Sequence, residues 1–189
     1  MSEVTVRPAD SDAWHDIETL LGQRGSVNGC WCMFFRQTPG QRRTDWGEGN
    51  RRALKGLVDA GARPGLVAYR DGVPAGWCSI APRQEYSRLD RSPISKPVDA
   101  EPVWSLVCLF VDRAHRGRGV ARALVRAAVT YAREQGVHIV EAYPVDDTMG
   151  PVTADSAYHG VVTLLRSEGF EEVARRSPKR PVMRCTTSA

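Results

Sequence analysis

Val111-Asp112-Arg113-Ala114-His115-Arg116-Gly117-Arg118-Gly119-Val120-Ala121 is the stretch on which the reading of this 189-residue chain turns. A nearly unbroken apolar run from Val103 to Val111 leads into it, as expected of a central strand buried on both faces. A helical pattern from Gly119 to Gln135 follows, with Val120, Leu124, Ala127, Ala128 and Tyr131 on one stripe and Gly136 at the C-cap position. A strand that turns into a helix through two glycines suits an anion. The first N–H groups of a helix have no carbonyl partner and carry partial positive charge, and glycines let that backbone approach a phosphate. Arg116 and Arg118 add charge; the alternative is a surface turn with incidental arginines. A dinucleotide fingerprint fails on position, because Asp112 to Arg116 separate the strand from Gly117 and Arg122 stands in the third glycine's place. No Gly-Lys-Ser/Thr is present, which excludes a Walker loop.

Working outward, Leu66 to Tyr69 and Ala75 to Ile80 flank Asp71-Gly72, a hairpin signature. Val4 to Arg7 reads as a strand, followed by a helix carrying Trp14, Ile17, Leu20 and Leu21. Arg51 to Ala60 reads as a second helix and Val137 to Tyr143 as a strand. A helix ending at Gly169-Phe170 and a closing hairpin of Glu171 to Ala174 and Val182 to Cys185 complete the order. Arg83 to Pro102, rich in proline and charge, reads as a long surface loop. With 42% hydrophobic and 25% charged residues, the expectation is one α/β domain over residues 1–189. Leu106 to Val111 is too short to span a bilayer and the N-terminus lacks a basic and apolar leader, so a cytoplasmic location without membrane contact is expected. Five scattered cysteines without an export signal are expected as thiols. Cys30-x-Cys32 has no second pair and the histidines are dispersed, so no metal is expected. A net charge of +4 spread along the chain permits nucleic-acid binding without indicating it, and none is expected.

Arg116-x-x-Gly119-x-Ala121, after an apolar strand and opening a helix, resembles the acyl-CoA signature Arg/Gln-x-x-Gly-x-Gly/Ala of the GNAT acetyltransferases, and the element order agrees over nearly the whole chain. The resemblance implies a mixed, mostly antiparallel sheet splayed between the strands at Val103 to Val111 and Val137 to Tyr143, flanked by helices. It implies acetyl-CoA as cofactor, lying in the splay. The backbone of Leu109, Phe110 and Val111 would then pair with the pantetheine arm, and the segment Arg116, Gly117, Arg118, Gly119, Val120 and Ala121 would hold the pyrophosphate. The implied activity is transfer of an acetyl group to the amine of a small molecule, with homodimerisation compatible.

Four residues before Gly169 the family often places a tyrosine that protonates the leaving thiolate; Leu165 stands there. Tyr158, about two turns earlier, takes the place of an asparagine that often contacts the cofactor, and is a candidate for binding CoA or acting as acid. The alternative is a tyrosine packing helix on sheet. Glu141, on the other wall of the splay, is the candidate general base, or else an ion-paired strand residue. The loop Asn28-Gly29-Cys30-Trp31-Cys32-Met33-Phe34-Phe35-Arg36 falls where the family shapes its acceptor pocket. Trp31, Phe34 and Phe35 would line a cleft with Trp77, Trp104, Glu141 and Tyr143, or form a buried plug. That loop, with Glu141-Ala142-Tyr143-Pro144-Val145-Asp146, also resembles bacterial aminoglycoside acetyltransferases acting on kasugamycin, an antibiotic-resistance activity. Such an acceptor would suit the chain if Glu141, Asp146 and Asp147 face the pocket. The rival readings are an acyl-CoA-binding sensor without turnover, which Leu165 favours, and a protein or peptide acetyltransferase with an open groove.

Overall fold

The computed structural model describes residues 3–22, 29–153 and 156–187; Asn28, at the head of the aromatic loop, lies outside them. Seven strands, β1 (Val4–Pro8), β2 (Leu66–Arg70), β3 (Val73–Pro82), β4 (Trp104–Val111), β5 (Ile139–Ala142), β6 (Glu171–Arg175) and β7 (Pro181–Thr186), pair in the order β1-β2-β3-β4-β5-β7-β6. β4 and β5 run parallel and the other pairs antiparallel. The mixed, mostly antiparallel sheet matches the sequence reading. At the β2–β3 turn Asp71 and Gly72 both take positive φ (52° and 79°), the conformation of a tight hairpin whose twist matches its strands.

The helices are α1 (Trp14–Leu21), α2 (Pro39–Thr44), α3 (Glu48–Asp59), α4 (Ser87–Asp90), α5 (Val120–Glu134) and α6 (Val162–Ser167). Among the described residues no helix is long and apolar enough to cross a membrane. α5 lays Val120, Leu124, Ala128 and Ala132 on one face of the sheet, over Ala68, Ala75, Ile80, Leu106 and Leu109. Gly76 permits the close approach: a Cβ there would meet Val120 Cγ1 at 2.8 Å and the Phe110 carbonyl oxygen at 2.9 Å. Ile17, Leu20 and Leu21 of α1 pack with Leu54 of α3 on Val67 and Trp77, side chains that alternate onto the other face.

β4 carries an irregularity that decides where a ligand can enter. Its register with β3 skips Val107: Ser79 pairs with Cys108 and Ile80 with Leu106. A residue inserted in one strand bends it and increases its twist. Pairing of β4 with β5 stops at the same place, with Leu106 opposite Ala142 as the last pair. Beyond it β4 continues to Val111 paired on the β3 side alone, and its other edge faces the splay.

The segment expected as a surface loop, Arg83 to Pro102, is instead folded onto the sheet. Tyr86 and Leu89 are fully buried, with Val107, Tyr143 and Phe35 in one cluster, and Arg83 is itself buried. Apolar side chains brought in without helical or strand periodicity carry no local signal of burial, which is why proline and charge dominated the reading.

Candidate active site

At the foot of β4 the glycine turn is open. Gly117 and Gly119 have φ of 70° and 83°, conformations that strain any residue with a side chain, and an added Cβ at either would meet nothing within 4 Å. Gly119 is the N-cap of α5 and offers no capping side chain, and the first intrahelical bond runs from Ala123 N to Gly119 O, so the first-turn N–H groups lack intrahelical partners. Arg116 folds back and donates from Nε to the Val111 carbonyl at 3.1 Å, while Gly117 and Arg118 stand exposed. The splayed edge of β4, including Leu109, Phe110 and Val111, leads straight into this turn.

At the other end of that edge a short segment crosses the splay. Val145 bridges Val161, with Val145 N donating to Gly160 O and Val162 N to Val145 O, and the turn Ala157–His159 rests against β4. Tyr158 is half-buried here, where Arg180 lies 5.8 Å over its ring and Cys30, Cys108 and Arg88 are near enough to act on its hydroxyl. Burial raises its pKa above the usual phenol value, the arginines acting in opposition. His159, not singled out in the sequence, is buried beside it with ring centroids 4.0 Å apart. Its imidazole is hydrogen-bonded to the Val107 main chain at the bulge and its Nδ1 has no partner. Burial first, and Arg180 second, hold it down to about 3, so the ring is neutral. A lone histidine in a weakly periodic segment offers no sequence signal; only the fold puts it on Val107.

Several expected acceptor and catalytic residues lie elsewhere. Glu141 is not positioned as a base: it is completely buried, with Arg83 Nη1 at 2.9 Å and the Tyr143 hydroxyl at 2.6 Å from Oε1, and Arg184 Nε at 2.9 Å from Oε2. Both oxygens are committed, so a substrate proton has no access. Tyr143 belongs to the same buried network, its hydroxyl also 2.8 Å from Ser105 Oγ. Trp77 is fully buried under α1 and donates from Nε1 to Cys32 Sγ at 3.1 Å. Trp104 points to the opposite face of the sheet, edge-on to Tyr131 of α5. Trp31 is buried against Trp14. Asp146 pairs with Arg175 and caps Thr148, and Asp147 caps α6 through Thr163 N. None of the three carboxylates needed for an ammonium-rich acceptor is free.

Phe34 and Phe35 remain at the site. Phe35 is buried against the His159 ring at 5.1 Å, and Phe34, half-exposed, lies under Arg88 at 4.0 Å. Trp31 and Cys32 both hold positive φ (47° and 53°), costly for residues with side chains and maintained by burial around them. Cys32 Sγ is 3.0 Å from Cys108 Sγ, which ties the aromatic loop to β4. Arg88 N donates to the Phe35 carbonyl and Arg36 pairs with Glu85, so the loop and the Arg83–Pro102 segment form one roof.

A profile of the Acetyltransferase (GNAT) family matches residues 30–150. Rat N-acetyltransferase 8B is 28% identical over 102 residues, 54% of this chain and 41% of that protein, so the chain spans less than half of that relative's length. Among solved structures, the mosquito arylalkylamine N-acetyltransferase like 5b superposes with a TM-score of 0.60 at 13% identity, covering 97% of this chain and all of the other. The PaiA N-acetyltransferase of Thermoplasma acidophilum, solved with coenzyme A, gives 0.54 at 10% identity, covering 97% and 99%. At these identities the structural likeness is one of fold.

Proposed function

The chain belongs to the GNAT acetyltransferase family, and from that premise we propose that it transfers the acetyl group of acetyl-CoA to the amine of a small molecule. One observation carries the reading: along β4 the bulge at Val107, the end of pairing with β5 and the open glycine turn form a continuous path. The residues present fit the cofactor. Gly117 and Gly119 leave a cradle that a side chain would enter, and Arg118 and the first-turn N–H groups of α5 supply positive charge for a pyrophosphate. The main chain of Leu109, Phe110 and Val111 has no strand partner on the splay side among the described residues, Arg116 Nε alone occupying the Val111 carbonyl, and this edge suits the pantetheine amides. Acetyl-CoA, when bound, supplies the acyl thioester. Tyr158, a phenol that is protonated at neutral pH, would give its proton to the departing sulfur and recover one from the attacking amine. The new C–N bond replaces the C–S bond, and amine plus thioester become amide plus thiol.

The roof made by the aromatic loop and the Arg83–Pro102 segment favours a small acceptor over a peptide, which needs an open groove. The test is release of free thiol from acetyl-CoA against small amines and peptides, with CoA affinity measured by calorimetry. Turnover with small amines is expected. Turnover with peptides alone contradicts the small-acceptor reading, and CoA binding without turnover on either favours a sensor.

A further inference from the structure

Two neighbouring polar atoms at the splay are buried without a hydrogen-bond partner, Arg180 Nη1 and His159 Nδ1. Both side chains are held in place by their other atoms. Arg180 donates from Nη2 to the Ser156 carbonyl at 3.1 Å and lies over the Tyr158 ring; His159 stacks on that ring, packs on Phe35 and is hydrogen-bonded to the Val107 main chain. Each therefore presents one unused valence from a fixed position, a cationic donor beside a neutral lone pair. Buried polar atoms are rarely left in this state, so each of the two calls for a partner.

The anion that Arg180 would meet is not a phosphate of CoA. The glycine turn follows Val111, four residues along β4 from the Val107 bulge, about 13 Å at the rise of a strand. A cationic acceptor is also disfavoured. Arg180 stands over the Tyr158 ring with Nη1 unpaired, and Glu141, Asp146 and Asp147 are engaged elsewhere. A buried guanidinium at the site repels an ammonium-rich sugar. We propose that the acceptor is an amino acid or a closely related amine bearing a carboxylate, with the carboxylate on Arg180 and the amine hydrogen-bonded to His159 Nδ1. This inference rests on the acetyl-transfer reading above. A guanidinium and an imidazole both held against the Tyr158 ring complement the two ends of an α-amino acid.

The test pairs each standard amino acid with its α-carboxamide, which keeps the amine and removes the anion, in the thiol-release assay on the full chain; kasugamycin and spermidine serve as acceptors without a carboxylate. At least one amino acid is expected to exceed its amide in kcat/KM by about tenfold or more. Arg180→Met should remove that preference, mainly through KM, with CoA affinity by calorimetry unchanged, and Arg180→Lys should restore part of it. Amides used as well as acids, or turnover confined to kasugamycin or spermidine, overturns the inference while acetyl transfer stands. Preference retained in Arg180→Met, in a variant with wild-type thermal unfolding, assigns Arg180 a structural role and also overturns it. Failure of the wild-type chain to bind CoA removes the acetyl-transfer reading and this one together.

Discussion

Glu141 keeps a full complement of hydrogen bonds at the cost of being unavailable to any substrate, and that makes a sharp prediction. Its carboxylate lies between Arg83 and Arg184 and is the one buried carboxylate they share, their other partners, Asp90 and Asp99, being exposed. Removing one partner of a buried ion pair leaves an uncompensated charge, so Glu141→Gln should destabilise the fold by about 3–5 kcal/mol. Urea unfolding should show the loss, while kcat measured well below the transition changes far less than the orders of magnitude expected of a catalytic base. The acidic residue on the splay wall was legible from sequence, and so was the alternative that it is ion-paired. Its partners were not, because they lie 58 and 43 residues away and spacing along the chain carries no record of such contacts. The same holds for His159, whose environment is made by Phe35, Tyr143 and Val107 from distant segments.

α5 shows where sequence reads well and what it misses. The stripe and its flanking glycines place the helix at Gly119 to Gln135, against an observed Val120–Glu134, because periodicity and caps are local properties. The hairpin at Asp71-Gly72 was legible for the same reason. The bulge at Val107 was not, since an extra residue in one strand is defined only by the register of its neighbour. Two substitutions test the helix as a unit. Gly76→Ala puts a methyl group against Val120 and Phe110 in the helix–sheet seam; overpacking of that kind costs about 1–3 kcal/mol, readable as a lower thermal midpoint. Gly119→Val leaves the core alone but places a branched side chain at φ 83° in the cradle. Calorimetry should show CoA affinity falling at least about tenfold, or about 1.4 kcal/mol, and unchanged affinity would remove the pyrophosphate from this turn.

At the scale of the whole molecule, the order of strands and helices could be read along the chain, whereas the splay and its roof arise only when β4, β5, the aromatic loop and the Arg83–Pro102 segment meet. That assembly encloses His159, and unfolding of the whole chain reports on it. The folded state keeps the imidazole neutral down to about pH 3, through burial and Arg180. The unfolded chain protonates a histidine near pH 6.5. Protons therefore bind the unfolded state first, and stability falls as the pH drops below about 6.5, by about 1.4 kcal/mol per pH unit from this one group. Asp99 and Glu172, whose pKa values are lowered first by hydrogen bonds from Arg184 and Arg175, and Asp146, lowered first by the Thr148 hydroxyl and then by Arg175, add losses as the pH falls through the unfolded carboxylate range near 4, and the exposure of Asp99 and Glu172 makes their share smaller. The interval from pH 6.5 to pH 5 thus isolates the histidine. Urea unfolding of the wild type should lose stability across it, and His159→Phe, which retains an aromatic ring among Phe35, Tyr143 and Tyr158 but cannot titrate, should show a shallower slope by about one proton. Parallel slopes for the two proteins would mean that His159 is solvated and protonated in the folded state, and the neutral lone pair assigned to the acceptor amine would be lost with it.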